Sequence, residues 1–168
     1  MKKLFRLQIM VIIVLSLALC ACSPSGSRPG QPAVDITLKD LDGKTVNLAG
    51  FKGRVVMLNF FATWCPPCKV EIPDFIELQN EHGPAGLSIV GISLDQKGVE
   101  SVKEFKRDFR INYPILYAGN QAQKIVDGVG GFRGIPTTVI INREGKIVKK
   151  FTGLIKKEAW EKEIKSLL

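Results

Sequence analysis

The chain has 168 residues, with 24 Lys or Arg against 16 Asp or Glu, a formal charge of +8, and 45% hydrophobic residues. That length suits one globular domain of roughly 100–150 residues with an appendage and excludes a multidomain machine. Three cations (Lys2, Lys3, Arg6) sit in an acid-free leader, and the remaining excess is spread out, with no clustered basic patch or RNA-type aromatic motif, so nucleic acid is not an expected partner. The four cysteines form two close pairs, Cys20/Cys22 and Cys65/Cys68, which excludes a dense disulfide scaffold.

Met1 to Arg6 is short and cationic, and Leu7 to Leu19 is almost wholly apolar, the layout of an export signal. The apolar run is too short to cross a bilayer as a stable helix, which takes about 20 residues. Leu19-Cys20-Ala21-Cys22 resembles the bacterial lipoprotein box, with Cys22 as the lipidated residue because a small residue precedes it; a plain signal peptide or an uncleaved anchor is the alternative. Residues 23–33 (SPSGSRPGQPA) are rich in Ser, Pro and Gly without apolar period, the composition of a solvated tether. The expected organisation is a signal over 1–22, a tether over 23–33 and a globular domain over 34–168, working outside the cytoplasm at the extracytoplasmic (periplasmic) face of a bacterial membrane.

Ile36-Thr37-Leu38 and Thr45-Val46-Asn47-Leu48 alternate around Asp40-Leu41-Asp42-Gly43, a hairpin signal. Val55 to Phe61 is nearly continuous apolar sequence, as in a strand buried on both faces. Pro67 to Glu81 reads as a helix stopped by Gly83, with Pro73 inside it where a backbone donor is lost and a kink expected. Leu87 to Leu94 reads as a second buried strand, Val99 to Phe109 as an amphipathic helix, Ile115 to Tyr117 as a short strand and Gln121 to Asp127 as a further helix. Thr137 to Asn142 and Lys146 to Phe151 flank an Asn-Arg-Glu-Gly turn, and Lys156 to Leu168 closes the chain as a helix. This order predicts an α/β domain with helices packed on a mixed sheet.

Cys65-Pro66-Pro67-Cys68 lies where the apolar strand ends and the helix begins. A thiolate at a helix N-terminus faces unpaired N–H groups and the positive end of the helix dipole, which lowers a thiol pKa from ~8.5 toward roughly 7 or below. Cys65, at the exposed end, is expected to attack, and Cys68, a turn further in, to resolve the mixed disulfide. A zinc half-site lacks ligands, since about four are needed and His82 is the only third soft donor left. A structural disulfide would close too small a loop to contribute much. Pro66 and Pro67 offer the thiolate neither charge nor N–H, so the pair is expected to act as a reductant, with a potential on the order of −200 to −300 mV.

Asn59-Phe60-Phe61-Ala62-Thr63-Trp64-Cys65-Pro66-Pro67-Cys68-Lys69 resembles the active-site segment of the thioredoxin superfamily, and within it the membrane-anchored ResA/TlpA family of thiol–disulfide oxidoreductases. The likeness extends over the domain through Leu41-Asp42-Gly43-Lys44, Pro73, Val90-Gly91-Ile92-Ser93-Leu94-Asp95 and Gly134-Ile135-Pro136-Thr137-Thr138. It implies a thioredoxin fold of the AhpC/TSA-redoxin-like kind: a mixed central sheet flanked by helices, with an added N-terminal β-hairpin. It also implies that Pro136 is cis, that Ile135 offers its backbone to a substrate peptide, and that Trp64, Pro66 and Pro67 line the substrate-binding surface beside them. Trp64 is expected to cover the dithiol.

Cytoplasmic thioredoxins carry a buried aspartate six residues before the first cysteine, and here that position is Asn59, which cannot relay a proton. Glu71, three residues after Cys68 and so on its helical face, resembles the family's acidic residue beneath the active site; its expected role is to tune Cys68 or take its proton, against the alternative of an ordinary solvated glutamate. The resemblance implies a monomeric enzyme with no metal and no cofactor beyond the dithiol. Its partners would be disulfide-containing exported proteins, such as apocytochrome c in cytochrome c maturation, a membrane thiol electron donor, and the membrane itself through the lipid anchor. Two rivals are a peroxiredoxin-like peroxidase, which would place threonine three residues before its cysteine where Thr63 stands two before Cys65, and a non-enzymatic lipoprotein with a structural disulfide. His82 is expected to cap a helix end, Trp160 to lie in the core, Gly128, Gly130, Gly131 and Gly134 to let the backbone approach the cysteines, and the lysines of 149–157 to form a solvated face.

Overall fold

A computed structural model describes residues 35–168; the leader, Cys22 and the tether lie outside that range. Strands β1 (Thr37–Asp40) and β2 (Thr45–Asn47) pair antiparallel, with Leu38 opposite Val46. Asp40 closes the turn between them by accepting the N–H groups of Asp42 and Lys44 at 2.9 Å each, and Gly43 takes the left-handed conformation the turn requires, at φ +83°. A 3₁₀ turn over Leu48–Phe51 then leads into β3 (Val55–Phe61), in which every residue is buried.

Helix α1 (Pro66–His82) follows, then β4 (Leu87–Ser93), α2 (Val99–Asp108) and β5 (Ile115–Tyr117). After a 3₁₀ turn come α3 (Ala122–Gly128), β6 (Thr137–Ile141), β7 (Ile147–Thr152) and α4 (Lys157–Lys165). The expected element order holds, with boundaries shifted by a residue or so; the closing helix ends at Lys165, three residues early. Strand order is β2-β1-β5-β4-β3-β6-β7. β3 pairs parallel with β4 and antiparallel with β6, so the sheet is mixed and β3 lies inside it.

The period of two along β3 divides the core. Val55, Met57 and Phe61 join Ile72, Phe75 and Leu78 of α1, Val102 and Phe105 of α2, and Trp160 and Ile164 of α4 on one face. Val56, Leu58 and Phe60 join Leu38, Ile92 and Ile125 on the other. Each such side chain contributes roughly 1.5–3 kcal/mol on full burial. Trp160 is in the core, its ring 6.0 Å from Phe75 and 5.0 Å from Phe151. Asn59 alternates onto the same face as Met57 and Phe61 and is the one polar residue of β3, buried under α1. The carboxyl ends of β3 and β4 share one edge of the sheet, and the loops leaving them meet the loop that enters β6.

Candidate active site

Cys65 is the N-cap of α1 and its backbone is still extended, at φ −89° and ψ 108°; Pro66 and Pro67 occupy the first helical positions, where a missing N–H costs nothing. Cys65 and Cys68 are joined at 2.10 Å, with their Cα atoms 5.3 Å apart. Because two of the first-turn donors are prolines, the N–H aimed at the Cys65 sulfur is that of Cys68, at 3.3 Å. The helix end therefore offers this sulfur one backbone donor, fewer than a proline-free first turn would bring. Expectation and structure differ on exposure: Cys65 is 2% exposed and Cys68 0%, so neither stands open in the disulfide form.

The cover over Cys65 is the loop entering β6. The Ile135–Pro136 peptide is cis, and the Ile135 carbonyl lies 3.8 Å from Cys65 Sγ. Pro136 is buried and shapes the loop, leaving half-buried Ile135 as the residue of the pair at the surface. Trp64 stands largely in solvent, 65% exposed, beside exposed Pro66 and Pro67. The glycines before the loop serve as turn residues: Gly130 and Gly131 adopt φ +80° and +65°, while exposed Gly134 has only an ordinary contact, with Thr152 Cγ2 at 3.7 Å from a Cβ built on it. A Cβ built at Gly131 or Gly134 meets neither cysteine; the backbone that comes near Cys65 is that of Ile135.

Glu71 is 1% exposed, so it is not a solvated helix glutamate. Asn59 Nδ2 donates to Glu71 Oε1 at 2.7 Å and to Thr138 Oγ1 at 3.0 Å, using both of its hydrogens. Glu71 Oε2 has no partner. Burial, which disfavours the charged form, pushes the Glu71 carboxyl from its ordinary 4.5 up to about 8; the Asn59 contact opposes the rise and Asp74 adds to it. Burial, and to a lesser degree Glu71, also raises the Tyr113 hydroxyl above its ordinary value. Asparagine at 59 is intelligible from this contact: an aspartate there would set two carboxylates at hydrogen-bond distance in a dry site.

Two supports were not anticipated from sequence. Buried Asp95 accepts the Thr63 hydroxyl at 2.6 Å, the Thr63 N–H at 3.1 Å and the Ser93 hydroxyl at 2.8 Å, and so fixes the chain two residues before Cys65. The one available signal was an acid just past the end of a buried strand. Lys150 Nζ donates to the carbonyls of Gly130 and Gly131 at 3.0 and 2.7 Å, tying down the loop that leads to Ile135. Lys157 pairs with Glu77 and Glu81 of α1 at 2.6 and 2.9 Å. The 149–157 lysines are therefore not simply a solvated face.

A cysteine pair two residues apart, capping the helix that leaves an interior strand of a mixed sheet and lying against a cis-proline loop, defines a thioredoxin-fold thiol–disulfide oxidoreductase. The chain belongs to the AhpC/TSA family, which matches residues 29–150. It is 34% identical over 127 residues to the thiol-disulfide oxidoreductase ResA of Halalkalibacterium halodurans, spanning 76% of this chain and 70% of that protein. To the ResA of Bacillus anthracis it is 33% identical over 138 residues, 82% of this chain and 78% of the other. Among solved structures it resembles a thioredoxin-family thiol:disulfide interchange protein from Chlorobium tepidum, with TM-score 0.75, 31% identity and coverage of 84% and 99%. The thioredoxin domain of a Bacteroides vulgatus thiol-disulfide oxidoreductase gives TM-score 0.76 at 25% identity, covering 85% and 100%.

Proposed function

We propose that the chain reduces disulfides in exported proteins through Cys65 and Cys68. The observation that carries the reading is the Cys65–Cys68 bond at the start of α1, beside the Ile135 carbonyl and one helical turn from buried Glu71. In the reduced protein the Cys65 thiolate attacks one sulfur of the substrate disulfide, and the other substrate sulfur leaves as a thiolate that takes a proton. Cys68 then loses its proton and attacks Cys65 Sγ. The second substrate sulfur departs, two electrons have passed to the substrate, and the Cys65–Cys68 disulfide remains for a membrane dithiol donor to reduce.

Glu71 handles the Cys68 proton. With its carboxyl at about 8 it is protonated at neutral pH in the disulfide form. It can therefore give a proton to Cys68 when the donor opens the disulfide, and take one back when Cys68 attacks. A carboxyl held near 8 can serve as general acid in one direction and general base in the other close to neutral pH. Ile135 offers its backbone to the substrate, with Trp64, Pro66 and Pro67 at the surface around it. Oxidised C-x-x-C pairs of the apocytochrome c type suit this chemistry. Cys22 carries the lipid that holds the domain at the extracytoplasmic face, and no helix among the described residues is long and apolar enough to cross a membrane.

The test is a Cys68→Ala variant expressed in the native host, which is expected to hold substrates as mixed disulfides on Cys65 that reducing agent releases. Equilibration of the wild type with glutathione should give a potential on the order of −200 to −300 mV. A potential above about −150 mV, in the range of strong oxidants, would assign the opposite direction of electron flow. Cys22→Ala is expected to free the protein from membranes or leave its signal uncleaved.

A further inference from the structure

Apolar exposure among the described residues gathers at one place. The large apolar side chains standing in solvent are Trp64 at 65%, Val70 at 61% and Leu154 at 50%. Trp64 precedes Cys65, and Val70 lies two residues past Cys68 on α1. Leu154 follows Gly153, whose N–H donates to the Pro136 carbonyl at 2.8 Å. One exposed apolar residue needs no explanation, but three from separate segments around one reactive bond mark a contact surface.

Cations flank the dithiol side of this surface. Lys69, next to Cys68, Arg133, two residues before Ile135, and Lys97, two residues past Asp95, are all exposed. None joins an ion pair among the described residues, so each is free to meet a partner's carboxylate. The carboxylates nearest the sulfurs are withdrawn from the surface: Glu71 is buried on the inner face of α1, and Asp95 is buried and engaged by Thr63 and Ser93, while half-buried Asp74 and exposed Glu158 lie further out, near Val70 and Leu154 in sequence. An unpaired cationic set around an apolar centre is the complement of an acidic chain with apolar residues, and charge of this kind acts through encounter rate and partner choice.

We propose that this rim docks polypeptides that carry acidic side chains beside their disulfide, so that the dithiol selects acidic substrate segments over basic ones. The proposal rests on the oxidoreductase reading above and names the substrate class of that same site.

The test uses the reduced full chain and two synthetic peptides with the same internal disulfide, flanked by Glu in one and by Lys in the other. Hydroxyethyl disulfide, small and uncharged, serves as the reference. Thiol labelling gives the second-order rate constant for each, and each peptide rate is divided by the reference rate, which removes any effect of a substitution on Cys65 reactivity. The Glu peptide is expected to react roughly three- to tenfold faster than the Lys peptide at low salt. The preference should shrink as salt shortens the screening length to about 3 Å near 1 M. Lys69→Glu with Arg133→Glu should reverse the preference, and Lys97→Glu alone should reduce it. Equal normalised rates in the wild type, or a preference unchanged in the double variant, would overturn the docking assignment. Inertness toward all three disulfides would overturn the oxidoreductase reading itself and the proposal with it.

Discussion

Replacing Glu71 with Gln keeps the shape and the acceptor used by Asn59 while holding the residue neutral at every pH, so it isolates the energetics of the buried carboxyl. In the unfolded chain that carboxyl ionises near 4.5, and in the folded protein near 8. Between those values the native state holds a proton that the unfolded state has released. The stabilising contribution is therefore fully present below 4.5 and lost as pH rises toward 8, with a limiting slope of about 1.4 kcal/mol per pH unit. Between pH 5 and 7 the wild type should lose roughly 2–3 kcal/mol, and by full ionisation about 5 kcal/mol, a large share of the 5–15 kcal/mol typical of a domain. Urea midpoints of the disulfide form provide the assay, because the two cysteines then do not titrate. With a urea dependence of about 1–3 kcal/mol/M the wild-type midpoint should fall by roughly 1–2 M from pH 5 to pH 7 relative to Glu71→Gln. Parallel pH profiles for the two proteins would refute the argument, since they would mean that Glu71 ionises in the native state as it does in the unfolded one.

Asn59→Asp sets a second carboxylate against Glu71 where the present contact is 2.7 Å; the pair should share one proton and lose more stability than the wild type between pH 5 and 8 in the same urea assay. Asp95→Ala leaves the Thr63 N–H and the Thr63 and Ser93 hydroxyls without their acceptor, and should destabilise by roughly 2–4 kcal/mol in urea unfolding, with Asp95→Asn recovering part of the loss. Trp160→Ala empties the space between Phe75 and Phe151 and should cost about 3–5 kcal/mol, read as a lower thermal midpoint. Lys150→Met removes the donor to the Gly130 and Gly131 carbonyls, and should raise amide exchange in that loop without lowering the exchange protection of β3.

Local pattern was enough for the elements and for the reactive bond. An unbroken apolar run becomes a strand buried on both faces, as β3 is, and a cysteine pair at the junction of such a run with a helix lies at that helix's N-terminus whatever the rest of the fold does. The spacing of three between Cys68 and Glu71 likewise puts both on one helical face without tertiary information, since helix geometry repeats within four residues. What surrounds those groups depends on contacts across the chain. Asn59 meets Glu71 from 12 residues away and Thr138 from 79, Asp95 reaches Thr63 across 32, and the Ile135 carbonyl approaches Cys65 across 70. Sheet register and the packing of α1 over β3 decide these meetings, and no local period encodes them. The same holds for Trp64 in solvent, Lys150 beneath its loop and a carboxyl driven to about 8. Exposure and dielectric environment belong to the assembled fold, because a residue's solvation is set by whatever distant segment comes to lie against it.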